Sequence, residues 1–216
     1  LKQKLLLTFI AATLLSLHGK AQLLSGSDST APKGQFGVKG GLHMQQITGM
    51  LWEKSYAMGW HGGLWARIHK NNFGVRAEIL ASSARYTCAS FDSAGKTYPF
   101  IADSVGNKGD FGAIYLDIPV MLEYTFIDRI SIQAGVQYSN LMALNNRTPL
   151  KPDYKTLFHP GEFAVVAGVE VKLPFNFSIG GRYKHGLSNV NNEVISNSVD
   201  TWKTTGIQAF VCYKIK

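Results

Sequence analysis

From residue 36 onward, apolar and polar residues alternate along the chain, the period-two signature of strands with two unlike faces. The clearest stretch is 114–126. Ile114, Leu116, Ile118, Val120, Leu122, Tyr124 and Phe126 fall on one face, and Tyr115, Asp117, Pro119, Met121, Glu123 and Thr125 on the other. The stretch 162–173 repeats the scheme, with Phe163, Val165, Ala167, Val169, Val171 and Leu173 set against Glu162, Gly168, Glu170 and Lys172. The same reading predicts strands near 36–47, 57–69, 73–86, 130–142, 176–188 and 203–215, eight in all. Each is long enough to cross a bilayer as a tilted strand, which takes about 9–11 residues.

The links between these strands alternate in length. Tight turns fall at Lys70-Asn71-Asn72, Ile127-Asp128-Arg129 and Pro174-Phe175-Asn176, and longer polar links at 48–56, 87–112, 143–159 and 189–202. An antiparallel up-and-down barrel gathers all short links at one rim and all long ones at the other, the arrangement of periplasmic turns and outer loops in outer-membrane barrels. Phe36, Phe73, Tyr124, Phe126, Phe175, Phe177 and Tyr213 all fall near the short-turn rim, where aromatic rings form an interfacial girdle. Pro119, mid-strand, lacks the N–H that a ladder needs, and a β-bulge is expected there.

Residues 1–21 read differently. Lys2 and Lys4 precede an apolar run from Leu5 to Leu17, and Gly19-Lys20-Ala21 offers small residues for cleavage before Gln22. This is the layout of a signal peptide, too short to span a membrane as a helix. Residues 22–35 then read as a linker and 36–216 as the barrel. Without 1–21 the formal charge of +8 falls to +5, with 19 Lys and Arg against 14 Asp and Glu. No basic cluster stands out along the sequence, so nucleic acid is not an expected partner. Cys88 and Cys212 map near opposite rims, and no disulfide between them is expected.

Alternation alone does not separate a membrane barrel from a secreted soluble one. Charge does. Ordinary domains carry about 25% charged residues, whereas this chain has 17%. Its polar faces carry small residues, Gly41, Gly63, Ser131, Gly135, Gly168 and Gly180, which suit a crowded interior. The fold class expected is therefore all-β: an eight-stranded antiparallel up-and-down transmembrane β-barrel in the outer membrane, monomeric and surrounded by lipid. Its polar face then points inward. Lys39, Arg67, Arg76, Lys172, Arg182, Lys184 and Lys214 share the lumen with Glu78, Asp117, Glu123, Glu162 and Glu170. Unpaired charges there would be costly, so an ion-pair network is expected, with Arg67 and Glu78 among the partners. Side chains about fill an eight-stranded interior, so an open pore is not.

Four stretches carry a family resemblance: Gly37-Val38-Lys39-Gly40-Gly41, Tyr115-Leu116-Asp117-Ile118-Pro119-Val120, Ala134-Gly135-Val136-Gln137-Tyr138-Ser139, and Gly181-Arg182-Tyr183-Lys184-His185-Gly186-Leu187-Ser188-Asn189. With the leader ending in Ala21-Gln22, they resemble the PorT-like outer-membrane β-barrel proteins of Bacteroidetes. The resemblance implies an outer-membrane barrel and no particular activity. The chain ends Tyr213-Lys214-Ile215-Lys216, without the terminal aromatic common in such barrels.

Candidate chemistry is sparse. His185 and Ser188, with Asn189 and Glu193 nearby, resemble the His/Ser/Glu set of eight-stranded lipid A deacylases and form the alternative reading, an acyl hydrolase. Residues three apart on a strand point to opposite faces, so only a bulge at Gly186 would bring the two together. His43, His61, His69, His159 and His185 lack metal-ligand spacing; His61 and His69 share a face about 26 Å apart along the strand. Neither a metal nor a cofactor is expected. The leading expectation is a non-enzymatic barrel with a structural or interaction role, contacting a protein partner through loops 87–112 and 143–159. Tyr98, Phe100 and Ile101, around Pro99, form an apolar patch that would serve as the binding site.

Overall fold

The alternating segments close into one antiparallel barrel. In the computed structural model, which describes residues 32–49, 52, 55–88, 109–146, 158–191 and 200–215, β1 (Lys33–Thr48), β2 (Ala57–Lys70), β3 (Phe73–Cys88) and β4 (Gly109–Ile127) are followed by β5 (Ile130–Asn146), β6 (Gly161–Lys172), β7 (Phe177–Gly186) and β8 (Lys203–Lys214). Each strand pairs with its sequence neighbours, and β8 closes on β1. The proposed leader lies outside the described residues. The expected linker reaches too far: β1 begins at Lys33, because Lys33↔His69 and Gly34↔Ile68 continue the ladder to the end of β2. The link expected at 87–112 shortens to 89–108, since β3 and β4 stay paired out to Cys88↔Gly109.

The short-turn rim is stitched by backbone hydrogen bonds. Thr125 N–H donates to Asn72 O (2.8 Å), Lys172 N–H to Arg129 O (2.7 Å), Lys214 N–H to Asn176 O (2.9 Å) and Ile215 N–H to Phe36 O (3.0 Å). Asn71 and Asn176 adopt positive φ, which asparagine tolerates in tight turns, while Phe175 does so at φ 60° and stands exposed at its turn tip. All seven aromatics assigned to the girdle are exposed. Phe73 packs on Tyr124 (ring centroids 4.9 Å) and Phe177 on Tyr213 (5.0 Å).

Pro119 carries no bulge. The β3–β4 ladder is interrupted between Ala77↔Val120 and Leu80↔Asp117 and resumes in the same register, while Pro119 still faces Gln137 across β4–β5. The ladder absorbs the missing N–H as a local gap, which keeps every later side chain on its proper face. The register shifts of β4–β5 lie elsewhere, between Ile114 and Tyr115 and between Thr125 and Ile127.

The faces are inverted relative to a soluble protein. Val38, Leu42, Leu64, Ile68, Val120, Leu122, Val136, Val165 and Ile207 are exposed outside, whereas charged residues are buried inside. Glu78 is the hub of the interior. Lys39 Nζ lies 2.9 Å from it, Arg76 Nε 2.7 Å and Arg182 Nη1 3.0 Å. Arg76 also reaches Glu170 (2.5 Å) and Glu123 (3.4 Å). Gln133 donates to both of those carboxylates and accepts from Arg182. Arg67 is a lumen partner as expected, but of Glu123 (3.3 Å) and Gln35 rather than Glu78. Trp65 and Phe210 serve as aromatic slabs, with Arg76 4.7 Å and Lys39 3.9 Å from their ring centroids. Cys212 lies in this layer, its thiol 3.1 Å from Arg76 Nη2, while Cys88 ends β3 at the long-link rim.

Small residues make room for this filling. A Cβ added at Gly63 would fall 2.0 Å from Ile79 O, and one at Gly135 2.1 Å from Val120 O. Two outcomes are expected. Glu78→Ala removes the carboxylate shared by three buried cations, leaving Lys39 without its ion-pair partner, and should cost about 3–5 kcal/mol, read as a lower urea midpoint for the barrel folded in detergent micelles; an unchanged midpoint would remove the hub role. Gly63→Ala should cost roughly 1–3 kcal/mol by overpacking, measured by the same titration and by the yield of the heat-modifiable folded form.

Candidate functional site

At the long-link end the lumen changes character. Ile47 of β1, Tyr86 of β3, Phe111 and Ala113 of β4, and Trp52, Phe158, Val190 and Trp202 from the links form one buried apolar cluster, with Tyr115, Leu141 and Leu144 packed against it. Trp52 is its centre, edge-on to Trp202 (5.1 Å), Phe111 (5.8 Å) and Tyr86 (6.3 Å) and tilted against Phe158 (5.9 Å). Offset and edge contacts of this kind are the favoured aromatic geometries. Tyr86 keeps its hydroxyl satisfied by accepting from Gln45 Nε2 (2.6 Å).

This cap also organises the roots of the long links. Phe158 bridges to Asn191, His159 N–H donates to Val190 O (2.9 Å), and Val190 N–H donates to Trp202 O (2.9 Å). Asn189 Oδ1 accepts from the backbone N–H of both Asn191 (3.0 Å) and Trp202 (2.9 Å). The links after β5 and β7 are thereby tied together at their roots, with aromatic rings packed beneath them.

Between the cap and the ionic layer lies a pair not foreseen from sequence. His43 and His61 are buried with ring centroids 5.8 Å apart and planes 22° from parallel. The register explains it: Gly41 faces His61 and Gly59 faces His43, so each Gly-x-His segment leaves room for the other's ring. A Cβ at Gly59 would sit 2.5 Å from His43 Nε2 and 2.0 Å from Ser83 O; one at Gly41 would sit 2.8 Å from His61 Nε2 and 2.2 Å from Ala209 O. The Nε2 edges therefore point apart, His43 toward β3 and His61 toward β8, and do not converge on one ion. Among the described residues, none of the four ring nitrogens makes a hydrogen bond of full geometry, His43 only leaning toward the Ser83 backbone, and no group of three or more metal-ligating side chains occurs. Around the pair, Ser82 donates to Asp117 (2.6 Å), and Lys184 pairs with Glu162 (2.8 Å), which also accepts from Thr204.

Tyr98, Phe100 and Ile101, the expected contact patch, lie outside the described residues, as does Glu193. His185 and Ser188 are described, and the structure does not bring them together. His185 Nδ1 is 3.4 Å from Thr205 Oγ1. Ser188 Oγ accepts from Phe163 N–H (2.6 Å) and lies 3.3 Å from Phe163 O, past the end of β7 at Gly186. One is a rim histidine and the other seals a strand end.

The fold has known counterparts. Neisserial surface protein A superposes with a TM-score of 0.51 at 12% identity, over 84% of this chain and 98% of its own. The Yersinia pestis attachment invasion locus protein Ail gives 0.44 at 15% identity, over 85% and 99%. The Pseudomonas aeruginosa outer membrane protein OprG gives 0.44 at 11% identity, over 85% and 97%. No curated protein matches the sequence. The family model of the outer membrane protein beta-barrel domain matches residues 21–192. With that match spanning most of the chain and the barrel turned apolar side out, the protein belongs to the outer membrane protein beta-barrel domain family and resides in the outer membrane.

Proposed function

We propose that the barrel is a sealed, non-enzymatic membrane platform that holds its outer loops in place for a protein partner. The observation that carries this reading is the aromatic cap. It closes the lumen at the end where loops emerge, and it draws Trp52, Phe158, Val190 and Trp202 from three different links into one buried cluster. A transport path would need water where these rings pack, and the layer beneath is filled by the Glu78 network. A platform needs rigid loop roots, and the backbone ties from His159 through Val190 to Trp202 supply them. The contact segment is 89–108, with Tyr98, Phe100 and Ile101 as its apolar element. The motifs at 37–41, 115–120, 134–139 and 181–189 support placing the chain with the PorT-like barrels of Bacteroidetes.

Three measurements test the platform. The protein reconstituted in a planar bilayer should give no steady single-channel current, and resolved open steps would exclude a sealed lumen. Trp202→Ala should cost about 3–5 kcal/mol through the cavity it leaves in the cap, and should loosen the loop roots. In-cell crosslinking should recover a partner from wild type and lose it when 90–108 is deleted, in cells where heat-modifiable migration shows the deleted form still folded. Recovery of the same partner by both forms would falsify the contact role of that segment.

A further inference from the structure

The buried charges of the lumen have partners supplied by the chain: Lys39, Arg76 and Arg182 meet Glu78, Lys184 meets Glu162, and Asp117 accepts from Ser82. The short-turn end departs from that rule. Lys172 ends β6 and Lys214 ends β8. Both line the mouth of the lumen, and neither makes a side-chain hydrogen bond or ion pair among the described residues.

Strand order explains where the cations stand. Around the barrel β2, β8 and β6 are separated by single strands, β1 and β7. Each of the three brings a cation to the mouth, Arg67, Lys214 and Lys172, and side-chain parity turns all of them inward. The strands between bring neutral side chains, Gln35 of β1 facing Arg67 and Ser178 of β7 facing Lys172. A cavity of about 300 Å³ is lined by Gln35, Arg67, Lys172, Asn176, Ser178 and Lys214. A second, of about 220 Å³, shares Arg67 and Lys172 with it and runs on to His69 and the turns at Asn72 and Asp128. The two are lobes of one basin at the rim of short turns, the periplasmic side of such barrels.

The acids of this basin are engaged elsewhere. Glu170 accepts from Arg76 (2.5 Å), Ser178 (2.8 Å) and Gln133 (2.9 Å). Glu123 is shared by Arg67, Arg76 and Gln133. Asp128 is exposed at its turn and acts on Lys172 only from beyond ion-pair distance. Arg67 spends its two Nη atoms on Glu123 and Gln35. What the basin offers a ligand is therefore two ammonium groups, with the Arg67 charge fixed between the lobes. Each ammonium is a compact charge that donates in three directions. Like charges gathered without counter-charge repel, and a ligand carrying two negative charges relieves this more than one carrying a single charge. Donors arriving from separate strands also suit a tetrahedral anion, whose oxygens point several ways, better than a flat carboxylate.

We propose that this basin binds a soluble, dianionic phosphate group from the periplasm, with Lys172 and Lys214 as its contacting residues. The lysines lie inside the ring of strands, whereas phospholipid headgroups meet the rim from outside. The network around Glu78 fills the lumen above, so the basin holds its ligand and does not pass it on. It lies at the opposite end from the loop roots and is independent of the role assigned to them.

The test is calorimetric titration of the full chain refolded in neutral-detergent micelles, in about 0.15 M salt to screen diffuse attraction. Glycerol phosphate and succinate are the probes, and the first is repeated with dioleoyl phosphatidylglycerol in the micelles. Wild type should bind glycerol phosphate about tenfold more tightly than succinate, with or without the lipid. Lys172→Gln and Lys214→Gln should each weaken binding about tenfold, the scale of one lost charge-assisted contact. Lys70→Gln, at an exposed rim lysine outside the basin, should change nothing. Heat-modifiable migration confirms that each variant is folded. The proposal is overturned if wild type gives no binding heat, if the basin variants bind like wild type, or if Lys70→Gln loses as much as they do. Succinate bound as firmly as glycerol phosphate removes the phosphate assignment, and displacement by phosphatidylglycerol makes the rim a headgroup contact instead.

Discussion

Glu78 stands between Lys39, Arg76 and Arg182 with almost no solvent reaching any of the four, and much of the architecture follows from that arrangement. A barrel in lipid has to expose its apolar side chains and bury its polar ones, so its interior is made of groups that are costly to bury singly. The chain meets this cost by connecting them. Each carboxylate in the lower lumen serves more than one cation or amide, and Gln133 links Glu123, Glu170 and Arg182 into a single network. A network of this kind dictates which residues can line the wall. Long charged side chains converge from several strands, and glycines such as Gly63 and Gly135 sit where even a Cβ would strike a neighbouring backbone.

The outer half of the lumen is filled by different physics. Aromatic rings replace ion pairs, and they come largely from beyond the strands, so the same cluster that stops the lumen also holds the links. Between these two fillings, His43 and His61 occupy the space that Gly41 and Gly59 leave open. Three layers result: paired charge below, a stacked imidazole pair in the middle, and apolar rings above. In the last of these, rings pack across the lumen where the described links emerge.

Most of the fold was legible in the sequence because side-chain parity and link length are local properties. Alternation placed Glu78, Glu123, Glu170, Arg76 and Arg182 on the lumen face, and tight turns such as Lys70-Asn71-Asn72 fixed the short rim. What was not legible depends on register across long links. The β1–β2 connection at 48–56 does not set which residue of β1 faces which of β2, so two Gly-x-His segments gave no sign that they cross. The cap escaped for a related reason. Trp52, Phe158 and Trp202 lie outside regular strands, where period-two alternation lapses, and Phe111 falls in a stretch whose polar, Gly-rich flanks read as a loop. Pro119 shows the opposite error, a real local constraint resolved without the expected bulge because a single gap in one ladder preserves the register of everything beyond it.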